Sequence, residues 1–166
     1  MFTVELKDQA VTAALMRAAG LLGAMQPVME AIGEVLATST KKRFGQGKAP
    51  DGSSWAPKSA VTLARSRDSR PLFGPNNRLN NEINYEAGAD FVEVGSPLIY
   101  AAAMQFGAAK GSFGSYSGTD KNGRAFSGSS PWGDIPARPF LGISEQDSRD
   151  ILAEIAEAIS TVFDTP

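Results

Sequence analysis

The chain has 166 residues, 42% of them hydrophobic and 20% charged, a formal charge of −2, and neither histidine nor cysteine. That length supports one core, burying about two thirds of the surface an unfolded chain would expose. The composition excludes disulfides, thiolate metal sites and any nucleophile activated by histidine. No apolar run reaches the roughly eighteen residues a membrane helix needs, and "MFTVELKDQA" has neither a basic start nor an apolar signal core. A cytoplasmic site of synthesis, with no membrane insertion, is therefore expected.

In chain order, "FTVELK" alternates apolar and polar residues and predicts a short strand. Asp8 can cap a helix carrying Val11, Leu15, Ala18 and Leu22, and Pro27 opens a second helical segment with Val28, Ile32, Val35 and Leu36. After Phe44, "GQGKAPDGSSWAPKS" is turn chemistry, with Pro50, Asp51 and Gly52 as its strongest signal and Trp55 in the loop that follows. Alternation at Leu79, Ile83 and Tyr85, then at Phe91, Val92 and Val94, predicts a central antiparallel hairpin. "PLIYAAAMQFG" reads as a short helix ended by Gly107, with Tyr100 and Phe106 expected in the core.

The segment 108–133 is rich in Gly and Ser, and it reads as a long mobile loop. Its "DKNG" lacks the remaining ligands of a calcium loop. Ser144 and Asp147 approximate a capping box for a last helix of about 30 Å, whose apolar face holds Ile151, Leu152, Ile155, Ile159, Val162 and Phe163. The fold expected is α+β: a small antiparallel sheet with a central hairpin, packed by N-terminal and C-terminal helices within a single domain, 1–166.

Charge is unevenly distributed. Between residues 41 and 78 nine basic side chains face Asp51 and Asp68, a balance of +7, whereas six acids against Arg149 make the chain from 144 onward −5. Such separation steers association with a charged surface or with a second copy. Arg43, Lys58, Arg65 and Arg67 are the interface candidates in the basic stretch. The acids lie singly or on the last helix, "GQGK" lacks the Ser/Thr of a phosphate loop, and no cofactor motif is present, so the chain is read as a non-enzyme.

"RFGQGKAPDGSSWAP", "TLARSR", "VEVGSPLIYAAAMQFG" and "IPARPFLGIS" before an acidic helix, in this order and spacing, resemble the phage virion morphogenesis family of tail completion proteins in Mu-like and P2-like phages and prophages. "PNNRLNNEI" departs from the Thr-Gly or Ser-Gly that the family tends to place before Arg-Leu. The resemblance implies a non-catalytic virion protein with a fold like tail terminators and neck proteins. It implies a ring, expected to be a hexamer, at the head-tail junction. Its partners would be itself, the tail tube protein and head-tail connector or neck proteins. The alternatives are a head-side neck protein and a protein touching DNA without sequence preference through residues 41–78.

In "IPARPFLGIS", Pro136 and Pro139 stiffen the backbone and Arg138 carries a planar donor fork for a neighbour's carboxylate or a phosphate. Phe140 and Leu141 fit either a neighbour's pocket or their own core. Trp55, beside Pro57 in a loop, is expected to make an assembly contact.

Overall fold

The computed structural model of the chain describes residue 20 and residues 25–66, 68–129 and 134–164. The strand expected from Phe2 and the helix expected after Asp8 lie outside these residues. The architecture is α+β, with helices and two two-stranded antiparallel sheets. The contacts divide the chain into two compact units, one of Met1–Ser39, Asn84–Gly95 and Ile143–Pro166, the other of Thr40–Ile83 and Ser96–Gly142.

Helix α1 (Gln26–Gln46) has Pro27 in its first turn, as its restricted φ allows. In the first unit its buried positions are Val28 and Ile32, one turn apart, and Gly33 and Ala37 further round the helix, so more than one side of α1 is covered. Its last turn ends at Gly47, which is left-handed at φ 66° and donates its N–H to Arg43 O at 2.8 Å.

Still in the first unit, β1 (Asn84–Ala87) and β2 (Val92–Gly95) pair antiparallel, as the alternation predicts. Tyr85 is opposite Val94 and Ala87 opposite Val92 on one face, and the Tyr85 ring lies where a Cβ at Gly33 of α1 would be. Asn84 opposite Gly95 and Glu86 opposite Glu93 make the other face. The last helix of the chain, here α5 (Glu145–Asp164), starts with a reciprocal box. Ser144 N–H donates to Asp147 Oδ2 at 2.7 Å, and Asp147 N–H to Ser144 Oγ at 3.1 Å. Of the face expected to be apolar, Ile151 and Ile155 are half-buried while Leu152 and Ile159 are exposed.

The second unit is built around four aromatic rings. Phe44 from the end of α1 meets Trp55, Phe73 and Phe140, with ring centroids 5.5, 6.3 and 5.4 Å away. The same unit holds α2 (Ala60–Arg65), capped by Ser59, the single turn α3 (Arg78–Asn81), and α4 (Ala101–Phe106).

Three expectations are corrected here. Leu79 begins no strand: it is buried in α3, because an Arg78–Glu82 pair at 2.7 Å spans i to i+4 and the Asn81 N–H reaches Asn77 O, both helical contacts. Tyr100 and Phe106 do not fill the core but are exposed, Phe106 by 78%. The helix they flank is only six residues long, and Ala101 supplies its buried contact. Finally, the Gly/Ser segment contains a hairpin, β3 (Ser115–Thr119) against β4 (Ala125–Ser129). Its turn is closed by Asp120, which accepts from the N–H groups of Asn122 at 2.8 Å and Arg124 at 2.9 Å.

Candidate assembly interface

The candidate residues from the two distant motifs meet, but they meet inside the second unit. The strip 135–142 runs extended past α4, tied at one end by paired N–H···O bonds between Ala108 and Ile135 at 2.8 and 2.9 Å. Gly107 makes this approach possible: at φ 77° it is left-handed, and a Cβ there would sit 2.8 Å from Ile135 O. Further along, Arg138 N–H donates to Met104 O at 2.8 Å. Gln105 then reads the next two residues at once: its Oε1 accepts from the N–H groups of Phe140 and Leu141 at 2.9 and 3.0 Å, and its Nε2 donates to Leu141 O at 3.0 Å.

Three further carbonyls of the strip, those of Pro139, Phe140 and Gly142, are taken by the "RFGQGKAPDGSSWAP" segment. Arg43, buried, donates from one guanidinium nitrogen to Phe140 O at 3.1 Å and Gly142 O at 2.8 Å. Trp55 Nε1 donates to Pro139 O at 2.7 Å. In the opposite direction Arg138 Nε and an Nη reach Ala56 O and Pro57 O, both at 2.7 Å. The two segments therefore hold each other through side-chain donors and backbone acceptors in both directions.

This geometry relocates several expected roles. Arg138 is 7% exposed and its fork is engaged by its own chain, not by a neighbour's carboxylate; burial pushes its pKa below the ordinary guanidinium value. Trp55 is buried against Phe44, not a surface contact, and its indole N–H, taken out of water with the ring, is satisfied by Pro139 O of the strip. Phe140, fully buried, takes the core alternative. Lys58 gives its ammonium to Ser66 Oγ, Asp68 O and Phe73 O at 2.9, 2.5 and 2.6 Å, which closes the loop between them.

Arg65 is exposed in the last turn of α2, and Arg67 lies outside the described residues. Pro50, Asp51 and Gly52 form the turn their sequence predicts. Gly52 N–H donates to Ala49 O at 2.9 Å, while Ser53 donates to the Asp51 carboxylate through N–H and Oγ at 2.9 and 2.6 Å and lowers its pKa. Pro136 and Pro139 remain exposed, and an open cleft of about 420 Å³ lies along Phe106–Ala109 and Asp134–Ala137.

Sequence reasoning missed Gln105, whose only signal is a polar residue in an otherwise apolar "AAAMQF", and it missed the β3–β4 hairpin, signalled by the Asn-Gly of its turn. It also underestimated the charge separation. The first unit holds thirteen acids and three basic residues, a formal −10, whereas the second holds thirteen basic residues and five acids, a formal +8.

Comparison with known proteins fits this picture. The sequence profile described as the phage virion morphogenesis family matches residues 6–160. The chain belongs to that family. Among curated proteins it is similar to Mu-like prophage FluMu G protein 2 of Haemophilus influenzae, with 29% identity over 158 residues, which covers 95% of each chain. No solved structure matches. The family places the protein in the building of phage particles, a structural and assembly role. Among the described residues no helix is long and apolar enough to cross a membrane.

Proposed function

We propose that this member of the family completes the tail and joins it to the head, acting without catalysis as a ring at the head-tail junction. The observation that carries the reading is the end-to-end relationship to a protein of a Mu-like prophage, over 95% of both chains. The structure supports it in kind. The cationic and aromatic side chains that could have served a reaction hold the chain to itself, and the groups left outside are apolar rings and charges of opposite sign in the two units. Such a subunit is suited to contact neighbours through two different faces, as a closed ring of head-to-tail contacts requires. Its partners would then be further copies, the tail tube protein and the connector or neck proteins. The +8 unit suits a contact with passing DNA that ignores sequence.

The test is deletion of the gene from an inducible prophage followed by negative-stain microscopy. Tails of uncontrolled length are the expected result. Full heads beside finished, unattached tails would move the protein to the head side of the neck, and normal infectious particles would overturn the assembly reading altogether.

A further inference from the structure

Two exposed features each destabilise a single chain, and each supplies what the other lacks. The first is Glu86 and Glu93, directly opposite one another on the exposed face of β1–β2. Like charges in that position repel, and among the described residues neither carboxylate forms a salt bridge. Asp90, exposed in the same hairpin, adds a third negative charge.

The second is the β3–β4 hairpin. Its strands contact chiefly each other, and among the described residues no third strand pairs with either edge. A two-stranded ribbon in water is marginal without something to cover it. Phe126, 46% exposed, lies across the ladder with its ring over Gly118, where a Cβ would meet it at 2.8 Å. The tip presents Lys121 and Arg124, both exposed, while the tip's own acid, Asp120, is turned to the backbone N–H groups of Asn122 and Arg124. Among the described residues the ribbon thus carries a partly exposed apolar ring, two edges without a further strand and a cationic end.

We infer that the β3–β4 hairpin of one copy docks on the β1–β2 hairpin of a second copy, with Lys121 and Arg124 against Glu86 and Glu93. The contact joins the +8 unit of one subunit to the −10 unit of the next. It uses a different patch on each partner and leaves one of them with a free acceptor and the other with a free donor, so only a closed assembly satisfies all copies. Exposed ion pairs contribute little individually, and the covering of Phe126 and of the strand edges supplies the rest of the affinity. DNA would accept the two cations but would leave Glu86 and Glu93 facing each other, which is why a second copy is favoured. The inference deepens the assembly reading and rests on it.

Charge reversal tests it by sedimentation of the full chain. Glu86→Lys with Glu93→Lys, and separately Lys121→Glu with Arg124→Glu, should each weaken self-association by about a hundredfold, since like charges then meet. The four changes combined should restore it. So should an equimolar mixture of the two double variants, which a contact within one chain could not do. The neutral pair Glu86→Gln with Glu93→Gln guards against misfolding: it should melt no lower than wild type, having lost a repulsion, yet associate more weakly.

A wild-type chain still monomeric at about 1 mM, where even a millimolar contact is half formed, overturns the inference. So does a four-fold variant that stays apart. Loss of duplex DNA binding in Lys121→Glu with Arg124→Glu, with association unchanged, would transfer the hairpin to nucleic acid. Absence of the protein from purified particles would instead overturn the assembly reading, whatever the sedimentation shows.

Discussion

Within one compact unit, the strip 135–142 and the β3–β4 hairpin handle their polar groups in opposite ways. In the strip, the carbonyls of Pro139, Phe140, Leu141 and Gly142 all accept from side chains of Arg43, Trp55 or Gln105. In the hairpin, among the described residues, the ladder satisfies only the inner edge of each strand, and Lys121 and Arg124 are exposed beside a Phe126 that is 46% exposed. The difference teaches that arginine and phenylalanine in a stiff, proline-flanked stretch need not mark a docking edge. Here they hold the chain to itself, and the docking role proposed above falls instead to the exposed ribbon.

The sharpest way to break this contrast is to truncate one phenylalanine from each region. Phe140→Ala should lower folding stability by about 3–5 kcal/mol, as the loss of a fully buried ring does, whereas Phe126→Ala, at a ring 46% exposed, should lower it by no more than about 1 kcal/mol. Thermal melts of the two variants decide it, and equal losses would make the hairpin part of the core. Next in size is Arg138→Ala, which leaves Ala56 O and Pro57 O without their donors and should cost about 1–3 kcal/mol. An arginine whose fork served only a neighbour's carboxylate or a phosphate, as the sequence led one to expect, would leave the melt little changed and confine the damage to assembly. An unchanged melt would therefore return Arg138 to the interface.

Smaller effects sharpen the comparison. Asp147→Ala removes the acceptor that closes the box at the start of α5 and should cost about 1 kcal/mol in chemical denaturation. Hydrogen exchange should be fast along β3–β4 in the free chain and slowed on assembly, while the Arg138 amide, bonded to Met104 O, should be protected in both states. Slow exchange throughout β3–β4 in a free monomer would count against the hairpin as a docking arm.

The smallest effect is electrostatic. Arg70 donates to the Asp68 carboxylate through side chain and backbone and pulls its pKa from 3.8 down to about 2. Because the folded value is the lower one, the contribution is complete above about pH 4 and is lost as the pH falls toward 2. Asp68→Asn should remove that slight pH dependence, read by denaturation at pH 2 and pH 5.

The elements legible in the sequence were those whose signals are local. Pro27 opening α1, the Pro50-Asp51-Gly52 turn, the Ser144–Asp147 box and the alternation of β1–β2 depend on neighbours a few residues away. The β3–β4 hairpin was hidden because its ladder is made of Ser, Gly and Thr, residues that also compose loops, with aromatic positions too few to impose a period. Leu79 misled because one apolar residue in a strand-like rhythm fits a helical turn equally well.

By itself, then, the sequence determined the family, the α+β class, the helix starts and turns, and the absence of histidine and cysteine chemistry. Only the tertiary structure decided which candidates face inward. Arg43 and Phe140 are 97 residues apart, and Trp55 and Pro139 are 84 apart. No local pattern can show that a guanidinium and an indole will find carbonyls at that distance. The chain folds the two segments together because apolar rings gather out of water, and the polar groups drawn in with them must then be satisfied by one another.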